Sequence, residues 1–290
     1  MHAGNIYAAL VGWLYVRSLG GKIVLRIEDL DRQRSKAYFI DEVQRDFENL
    51  GLYWDEGPYF QSDRDSAYQD SFDALCSKGL IYPCFCSRAD LHAASAPHAG
   101  EKFIYAGTCR DLTVEEVAKR SKLRDPAWRV RVPCDTLSFE DSFQGHYGQK
   151  LDTECGDFLV RRSDGMFAYQ LAVVVDDAAQ GVNFVVRGND LLSSTPQQIY
   201  LQRMLGLPET HYAHLPLLVG PDGRRLSKRN QDASLDELLQ RFKTPEAVIG
   251  HIAFVCGIVD ADEPASPEEL LDVFTFRNLM GRSVVVWPQD

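Results

Sequence analysis

Two short segments, far apart in the chain, carry residues suited to phosphate chemistry. The chain opens with MHAGN (1–5), which leads into apolar residues with helical spacing. A small-residue turn at the start of a helix presents free backbone N–H groups and the positive end of the helix dipole, and together these bind anions. Much later, a Pro-Asp-Gly turn leads into the basic segment RRLSKRN (224–230), whose cations can neutralise charge that develops on phosphate oxygens.

Each of these segments also has an ordinary interpretation. Helices often begin with polar residues and glycine, and a basic loop is most often a solvated turn. Neither segment is specific when it is taken alone. The pair, in one chain, is a stronger indication of phosphate binding than either segment alone.

Three cysteines, Cys84, Cys86 and Cys109, lie in a region that is rich in loops. Two thiolates one residue apart can share a tetrahedral ion, and zinc is the usual metal of such sulfur-rich sites. By spacing alone, cysteines of this kind are more often buried apolar side chains. The chain has seven cysteines, an odd number in a chain too large to need disulfides, so reduced thiols are expected.

The elements that would position these residues alternate between helices and strands. Apolar spacing predicts a helix over 5–19, ended by two glycines, and then a buried strand in KIVLRIEDLD (22–31). Further segments are predicted as helices in SKAYFIDEVQRDFENLG (35–51) and DSAYQDSFDALCSKG (65–79), a strand in NFVVRG (183–188) and a helix over Thr195–Leu205. This alternation predicts an α/β fold with a doubly wound parallel sheet.

The texture of the sequence changes between Cys84 and about Cys155. Short strands, loops and one helix near Val114–Lys122 predict an insertion there. The α/β pattern then resumes, and the last part of the chain is helical, with its clearest segments over Ser234–Phe242 and Pro245–Gly257.

Composition excludes several classes of protein. The chain has 290 residues, 45% of them hydrophobic, so it can bury a core as one large domain or two modest ones. Its net charge of −11 argues against nucleic-acid binding through bulk charge, although a local basic face is compatible with it. No apolar run reaches the roughly 18 residues that span a bilayer, and no basic leader is present. We therefore expect a cytoplasmic protein without a membrane partner.

In combination, the His-x-Gly-Asn turn at 2–5 and the Leu-Ser-Lys loop within 225–229 resemble the two signature motifs of class I aminoacyl-tRNA synthetases. Three further blocks are similar to the catalytic core of glutamyl-tRNA synthetases: LRIEDLDRQRS (25–35), AYQLAVVVDDAAQGVNFVVRGNDLLSSTPQQIYL (168–201) and HLPLLVGPDGRRLSKR (214–229). The resemblance covers most of residues 2–245. It implies a Rossmann-type catalytic core in 1–83 and 156–230, an insertion with a zinc knuckle in 84–155, and a short helical stub in 231–290 without a full anticodon-binding domain.

The resemblance also implies a reaction. Glutamate would be activated with ATP and Mg²⁺ to glutamyl adenylate, with release of pyrophosphate, and then transferred to RNA. His2 and Lys228 would be the catalytic residues, holding the ATP phosphates and the transition state. The ATP-binding residues that the resemblance implies are His2, Gly4, Asn5, Ser227 and Lys228.

Glutamate carries one ammonium and two carboxylates, so its pocket needs an acid and a fork-shaped cation. The resemblance implies that Glu28 binds the ammonium, Arg187 pairs with a carboxylate and Tyr169 closes the pocket with its hydroxyl. A surface salt bridge at strand ends is the alternative interpretation of Glu28 and Arg187, but ligands bind at strand ends in α/β sheets. Asp176 and Asp177 are interpreted as structural residues.

The pattern of cysteines is similar to the zinc knuckle of short glutamyl-tRNA synthetase paralogues, in which a tyrosine joins three cysteines. It implies one structural zinc ion, and the ligands would be Cys84, Cys86, Tyr105 and Cys109. His92 and His98 lie in the intervening loop and are rival candidates for the fourth ligand.

Too few residues follow Arg229 to form the helical domain with which a full glutamyl-tRNA synthetase reads the anticodon. Such a short architecture resembles the glutamyl-queuosine tRNA(Asp) synthetases, which attach glutamate to the modified base queuosine at the wobble position. The implied partners are ATP, L-glutamate and the anticodon loop of tRNA(Asp), whose splayed bases a monomer would capture in its cleft. Glutamate activation would not need tRNA. The basic track at the cleft would include Arg224, Arg225, Lys228 and Arg229.

Two other functions stay open: a glutamyl-tRNA synthetase fragment that charges tRNA(Glu), and a catalytically impaired paralogue that binds nucleotide or RNA. Family members carry a strand and an Arg-Phe-Ala-Pro-Ser-Pro-x-Gly segment ahead of the His-x-Gly turn, whereas Met1 directly precedes His2 here. We therefore expect the first strand to be missing from the sheet. Either the natural start lies upstream of Met1, or the chain as written is impaired in folding and glutamate binding.

Overall fold

The structure, a computed structural model, describes residues 1–31, 35–87, 90, 104–224, 226 and 234–288. The helices are α1 (Ala3–Ser18), α2 (Ala37–Asn49), α3 (Asp65–Ser77), α4 (Val114–Ser121), α5 (Leu151–Glu154), α6 (Tyr169–Ala179), α7 (Thr195–Leu205), α8 (Leu235–Phe242), α9 (Pro245–Val255) and α10 (Pro267–Leu270). The strands are β1 (Val24–Ile27), β2 (Glu56–Phe60), β3 (Ile81–Cys84), β4 (Ala127–Val130), β5 (Thr136–Asp141), β6 (Gly145–Lys150), β7 (Leu159–Arg161), β8 (Phe184–Gly188), β9 (His211–Leu215), β10 (Leu217–Val219) and β11 (Val284–Val286).

Helix α1 lies in the larger of the hydrophobic cores. Ile6, Leu10 and Leu14 have no exposed surface, and the helix is apolar on most sides, as expected for an element surrounded by protein. It ends before Gly20, whose φ of 66° is left-handed and lets the chain turn without a Cβ penalty. The predicted first helix and its glycine stop are confirmed.

Parallel strand pairs confirm the predicted α/β class, but the described strands form four sheets. Strands β6, β5, β9 and β8 form one sheet in that order, and β1 pairs in parallel with β2 in another. The remaining sheets are the antiparallel β3-β4-β7 and the parallel β10-β11. Among the described residues, no strand pairs with the second edge of β1 or of β8. Strands β1 and β8 therefore belong to different sheets. A groove of about 760 Å³ is lined by both strands and by α1.

The insertion predicted from the change in texture contributes strands to the largest sheet. Strand β5 pairs with β6 along its whole length and touches β9 in parallel at Asp141 and Tyr212. Residues 136–150 therefore share a sheet with β8 and β9, and Asp141 reaches the interior of the protein at the last position of its strand.

Helix α6 buries a carboxylate in an apolar setting. Asp176 has no exposed surface, and it accepts hydrogen bonds from Gln61 Nε2 at 2.9 Å, Tyr68 Oη at 2.7 Å and Arg64 Nε at 2.5 Å. A buried charge is tolerated only when it is paired and hydrogen-bonded. These bonds hold α6 against α3 and against the 3₁₀ turn Gln61–Asp63, which precedes α3.

The C-terminal helices begin at side-chain caps. Ser234 accepts a hydrogen bond from the Glu237 amide in a complete capping box, and the Thr244 side chain caps α9 by accepting a hydrogen bond from the Ala247 amide. The two predicted C-terminal helices are confirmed. No helix in the described ranges is long and apolar enough to cross a membrane.

Replacing Asp176 tests how far the fold depends on this buried carboxylate. We expect Asp176→Ala to lower the free energy of unfolding by about 2–3 kcal/mol, because it leaves Tyr68 and the partly buried Arg64 without their acceptor. Urea denaturation measures the change. The control is Asp73→Ala on the exposed face of α3, where loss of a hydrogen bond from Gln69 should cost less than about 0.5 kcal/mol. Equal losses for the two variants would contradict the assigned role.

Candidate active site

Charged side chains meet where β1 ends against helix α6. Arg26, on β1, forms an ion pair with Asp177 at 2.8 Å and donates a hydrogen bond to Gln180 at 2.8 Å. Glu28 follows the strand directly, and its carboxylate lies 3.9 Å from Arg26. Burial raises the pKa of the Glu28 carboxyl, and the nearby Arg26 opposes that shift. An acid is thus held beside the open edge of β1, while Arg26 is already paired with Asp177.

The three residues predicted to bind glutamate lie within electrostatic reach of one another. Tyr169 begins α6, and Arg187 is the next-to-last residue of β8. Burial raises the pKa of the Tyr169 hydroxyl, and Glu28 raises it further while Arg187 opposes the change. Arg187 also acts on Glu28, where it lowers the carboxyl pKa. One acid, one cation and one hydroxyl therefore act on one another electrostatically near the ends of β1 and β8.

Neutral side chains hold the Arg187 guanidinium. Its Nε donates to His214 Nε2 at 3.0 Å, and its Nη2 donates to Thr195 Oγ1 at 2.7 Å. Both His214 and Thr195 are fully buried. No other hydrogen bond of Arg187 is formed within the described ranges, so the Nη1 group is available to a ligand.

The N-terminal turn has the geometry expected before a helix. His2 is the extended residue ahead of α1, and its carbonyl accepts hydrogen bonds from the amides of Asn5 and Ile6. A Cβ at Gly4 would lie 3.3 Å from the His2 ring, tighter than most side-chain contacts, so the small residue lets the ring fold back onto the turn.

His2 also pairs with the chain that follows the basic loop. It forms an isolated antiparallel bridge with Ser234. Ser227 and Lys228, predicted to bind ATP, and Arg225 and Arg229 of the predicted basic track lie outside the described residues. Within the track, the described Arg224 is strongly exposed and lies 3.6 Å from Asp222.

The structure gathers the predicted zinc ligands at one point. The sulfur atoms of Cys84, Cys86 and Cys109 lie within 4.8 Å of one another, and Cys86 and Cys109 are 3.6 Å apart. The Tyr105 hydroxyl lies 3.4 Å from Cys84 and 3.8 Å from Cys86. Tetrahedral zinc with bonds of about 2.3 Å places its sulfur ligands about 3.8 Å apart. The cluster therefore fits such an ion with little adjustment. His92 and His98, the rival ligands, lie outside the described residues.

The thiols of this cluster differ in acidity. Burial raises the pKa of Cys86 to about 12, and the neighbouring Cys84 adds to the shift. For Cys84, burial acts in the same direction, but hydrogen bonds with the Tyr105 hydroxyl, from the Cys86 amide and from Arg129, whose Nε lies 3.3 Å from the sulfur, bring the pKa below its usual value. The thiols of the cluster therefore differ in how readily they lose a proton, and metal binding would release protons from those that ligate the ion.

Several residues of the site were not predicted. Arg26 lies on β1 two positions before Glu28, which directly follows the strand, so the alternation of extended backbone could have indicated that the two side chains share one side. Thr195 and His214 carry no local signal, since they come from α7 and β9 and meet Arg187 only through the fold. Asp177 lies in the site next to Arg26, whereas Asp176 points away into the core.

A family model matches residues 1–279 of the chain, and its description reads tRNA synthetases class I (E and Q), catalytic domain. A relative from Symbiobacterium thermophilum, named glutamyl-Q tRNA(Asp) synthetase, is 47% identical over 287 residues, which cover 94% of this chain and 88% of the relative. One from Nitratidesulfovibrio vulgaris with the same name is 40% identical over 301 residues and covers 100% and 93% of the two chains.

Among solved structures, a glutamate tRNA ligase from Elizabethkingia meningosepticum, in complex with its amino acid, superposes with a TM-score of 0.82 at 25% identity. The match covers 99% of the present chain but only 64% of that ligase. The present chain therefore corresponds to a part of the longer ligase, and the two proteins share the fold of that part.

Proposed function

The chain belongs to the class I tRNA synthetases of the glutamate and glutamine type, which makes it an enzyme of the ligase kind, and we propose that it transfers glutamate to queuosine in the anticodon of tRNA(Asp). In the first step the glutamate α-carboxylate attacks the α-phosphorus of ATP and forms glutamyl adenylate with release of pyrophosphate. In the second step the glutamyl group passes to the RNA, and AMP leaves.

The observation that carries this proposal is the set of charges at the ends of β1 and β8. Glu28 can receive the substrate ammonium, Arg187 can pair with a carboxylate through its remaining donors, and Tyr169 can close the pocket with its hydroxyl. Arg26 pairs with Asp177 at 2.8 Å and lies farther from Glu28, at 3.9 Å, so a substrate ammonium at Glu28 would compete with the longer of these two contacts. An acid and a forked cation side by side match the amino and carboxylate groups of an acidic amino acid.

ATP would bind across the start of α1. The backbone N–H of Gly4 would face an anion at the positive end of the helix, whereas the N–H of Asn5 donates to the His2 carbonyl, so Asn5 would contribute through its side chain. His2 and Lys228 would contact the phosphates. Ser227 completes this proposed set. Mg²⁺, bound with ATP, would neutralise phosphate charge, while the cations of the basic loop stabilise the charge that develops during displacement.

Zinc is proposed as a structural ion held by Cys84, Cys86, Cys109 and Tyr105. Their spacing fits a tetrahedral site, and the ion would join the end of β3 to the segment around Tyr105. All four positions are filled by protein, so this ion would supply stability and no chemistry to the reaction.

Queuosine in tRNA(Asp) is the proposed acceptor because the relatives at 40% and 47% identity bear the name glutamyl-Q tRNA(Asp) synthetase. The exposed Arg224 and the neighbouring Arg225, Lys228 and Arg229 would contact the RNA backbone. Activation of glutamate before any RNA binds is part of the same proposal.

Acceptor assays separate this proposal from the charging of tRNA(Glu). We expect glutamate-dependent exchange of pyrophosphate into ATP without any tRNA, and transfer of labelled glutamate to queuosine-containing tRNA(Asp). The same tRNA(Asp) without queuosine is the matched control and should accept none. Charging of tRNA(Glu) instead would contradict the acceptor, and absence of exchange with glutamate would contradict the reaction.

Lys228→Ala tests the role of the basic loop. Because the lysine would stabilise charge that develops in the transition state, we expect the exchange rate to fall by about a hundredfold or more while the affinity for glutamate changes little. Lys122→Ala, an exposed lysine after α4, is the control and should keep the full rate. An unchanged exchange rate for Lys228→Ala would refute its catalytic role.

Metal analysis tests the zinc site. Protein purified without added zinc should contain about one zinc ion per chain, and Cys109→Ser should lower that ratio and the melting temperature, since a structural ion contributes its binding free energy to folding. Cys134→Ser, at an exposed position away from the cluster, should leave both unchanged. A ratio near zero in folded wild-type protein would exclude the site.

A further inference from the structure

A buried chain of hydrogen bonds runs behind the proposed substrate pocket. Asp141, at the end of β5, accepts a hydrogen bond from His214 Nδ1 at 2.6 Å, and His214 Nε2 accepts one from Arg187 Nε at 3.0 Å. The side chains of Asp141 and His214 have no exposed surface. The three residues come from three strands of one sheet, β5, β9 and β8.

The partners determine which ring nitrogen of His214 carries the proton. Asp141 also accepts hydrogen bonds from the amides of Phe143, Gln144 and His214. Although burial alone would raise it, the pKa of Asp141 is held below its usual value by these bonds and by the His214 ring. An ionised carboxylate only accepts, and a guanidinium only donates. His214 is therefore protonated at Nδ1 and offers a lone pair at Nε2.

His214 must stay neutral for this geometry to persist. Burial lowers the pKa of its ring, and the Arg187 charge lowers it further against the opposing effect of Asp141. The ring is enclosed by Tyr212, with centroids 6.0 Å apart and the planes stacked, and by Phe139 at 6.4 Å. A proton on Nε2 would oppose the Nε–H of Arg187, and its acceptor would be Thr195 Oγ1, 3.1 Å from Nε2, so the bond from Arg187 would be lost.

Without the hydrogen bonds from Arg187 to His214 and Thr195, the acids Glu28 and Asp177 would attract the Arg187 guanidinium. Glu28 and Asp177 both interact electrostatically with Arg187, yet within the described ranges neither forms an ion pair with it. His214 and Thr195 occupy the Nε and Nη2 positions on one edge of the guanidinium. The N–H groups of Nη1 and the second N–H of Nη2 make no hydrogen bond in the described part of the chain. One N–H from each nitrogen points off the end of the guanidinium, and these two donors match the two oxygens of a carboxylate in a bidentate contact.

We infer that Asp141 and His214 form a positioning relay, which holds Arg187 away from Glu28 and Asp177 and presents the end of its guanidinium to the substrate carboxylate. This inference rests on the proposed function for the identity of the substrate. His214 does not touch the substrate. It acts by keeping the lone pair of Nε2 directed at Arg187, and Asp141 acts by fixing the tautomer that leaves that lone pair in place.

Two substitutions of His214 separate positioning from packing. The amide of His214→Asn lies near the place of Nδ1, so it keeps the bond to Asp141 and loses the one to Arg187. The longer His214→Gln places its amide oxygen near Nε2 and keeps an acceptor for Arg187. We expect the Asn variant to raise the KM for glutamate by about tenfold or more. The Gln variant should remain within a few fold of wild type, and the KM for ATP should change in neither.

Asp141→Asn tests the tautomer directly. The new amide can donate to His214 Nδ1, which drives the ring proton to Nε2, where it opposes the Arg187 donor. We expect ¹⁵N NMR of the imidazole to show the Nδ1-protonated form in wild type and the Nε2-protonated form in the variant, with a raised KM for glutamate. His211→Asn, exposed on the same strand, is the control for both readouts and should alter neither.

The outcomes distinguish the relay from the proposed function. Equal KM values for His214→Asn and His214→Gln, or an Nε2-protonated ring in the wild type, would overturn the relay even if glutamate is the substrate. Wild-type protein that does not activate glutamate would overturn the proposed function and the substrate assigned to Arg187. In that case the tautomer in wild type and in Asp141→Asn still decides whether the hydrogen-bonded relay exists.

Discussion

Two consecutive carboxylates on one helix, Asp176 and Asp177, constrain most of what surrounds the candidate site. Successive helix residues point about 100° apart, so neighbouring acids on α6 face different partners. Asp176 faces α3 and is satisfied by Gln61, Arg64 and Tyr68, whereas Asp177 faces β1 and pairs with Arg26. Neither charge can be buried unless these partners are in place. The position of β1 relative to α6, and with it the position of Glu28, depends on this requirement.

The sequence predicted helices better than sheets, for a physical reason. The apolar spacing and glycine stops of α1, and the caps of α8 and α9, are local signals, and the observed helices follow them closely. Strand pairing is decided by residues far apart in sequence. The parallel contact between β5 and β9, at Asp141 and Tyr212, joins the predicted insertion to the core. No local sequence pattern in either strand predicts this pairing.

The candidate site divides in the same way. Glu28, Tyr169 and Arg187 could be proposed because their motifs resemble those of a known family, and family membership was then confirmed by the match over residues 1–279. The cysteines and Tyr105 could be grouped because their pattern is similar to a zinc knuckle of the same family. Asp141 and His214 could not be predicted, because a buried histidine in an apolar strand is usually a packing residue and its partners come from other strands. Their role follows only from which atoms donate and which accept.

The charges of the site are arranged so that one pair of them is neutralised before a substrate arrives. Arg26 is neutralised by Asp177, and Arg187 is held by the neutral His214 and Thr195, so its own charge is retained. A carboxylate could position the guanidinium equally well, but it would neutralise the positive charge and so weaken the attraction for a substrate carboxylate. The Asp141 carboxylate does not contact Arg187, because the His214 imidazole lies between them. Neutral acceptors therefore combine fixed geometry with an uncompensated cation, and that combination is what recognition of a substrate carboxylate requires.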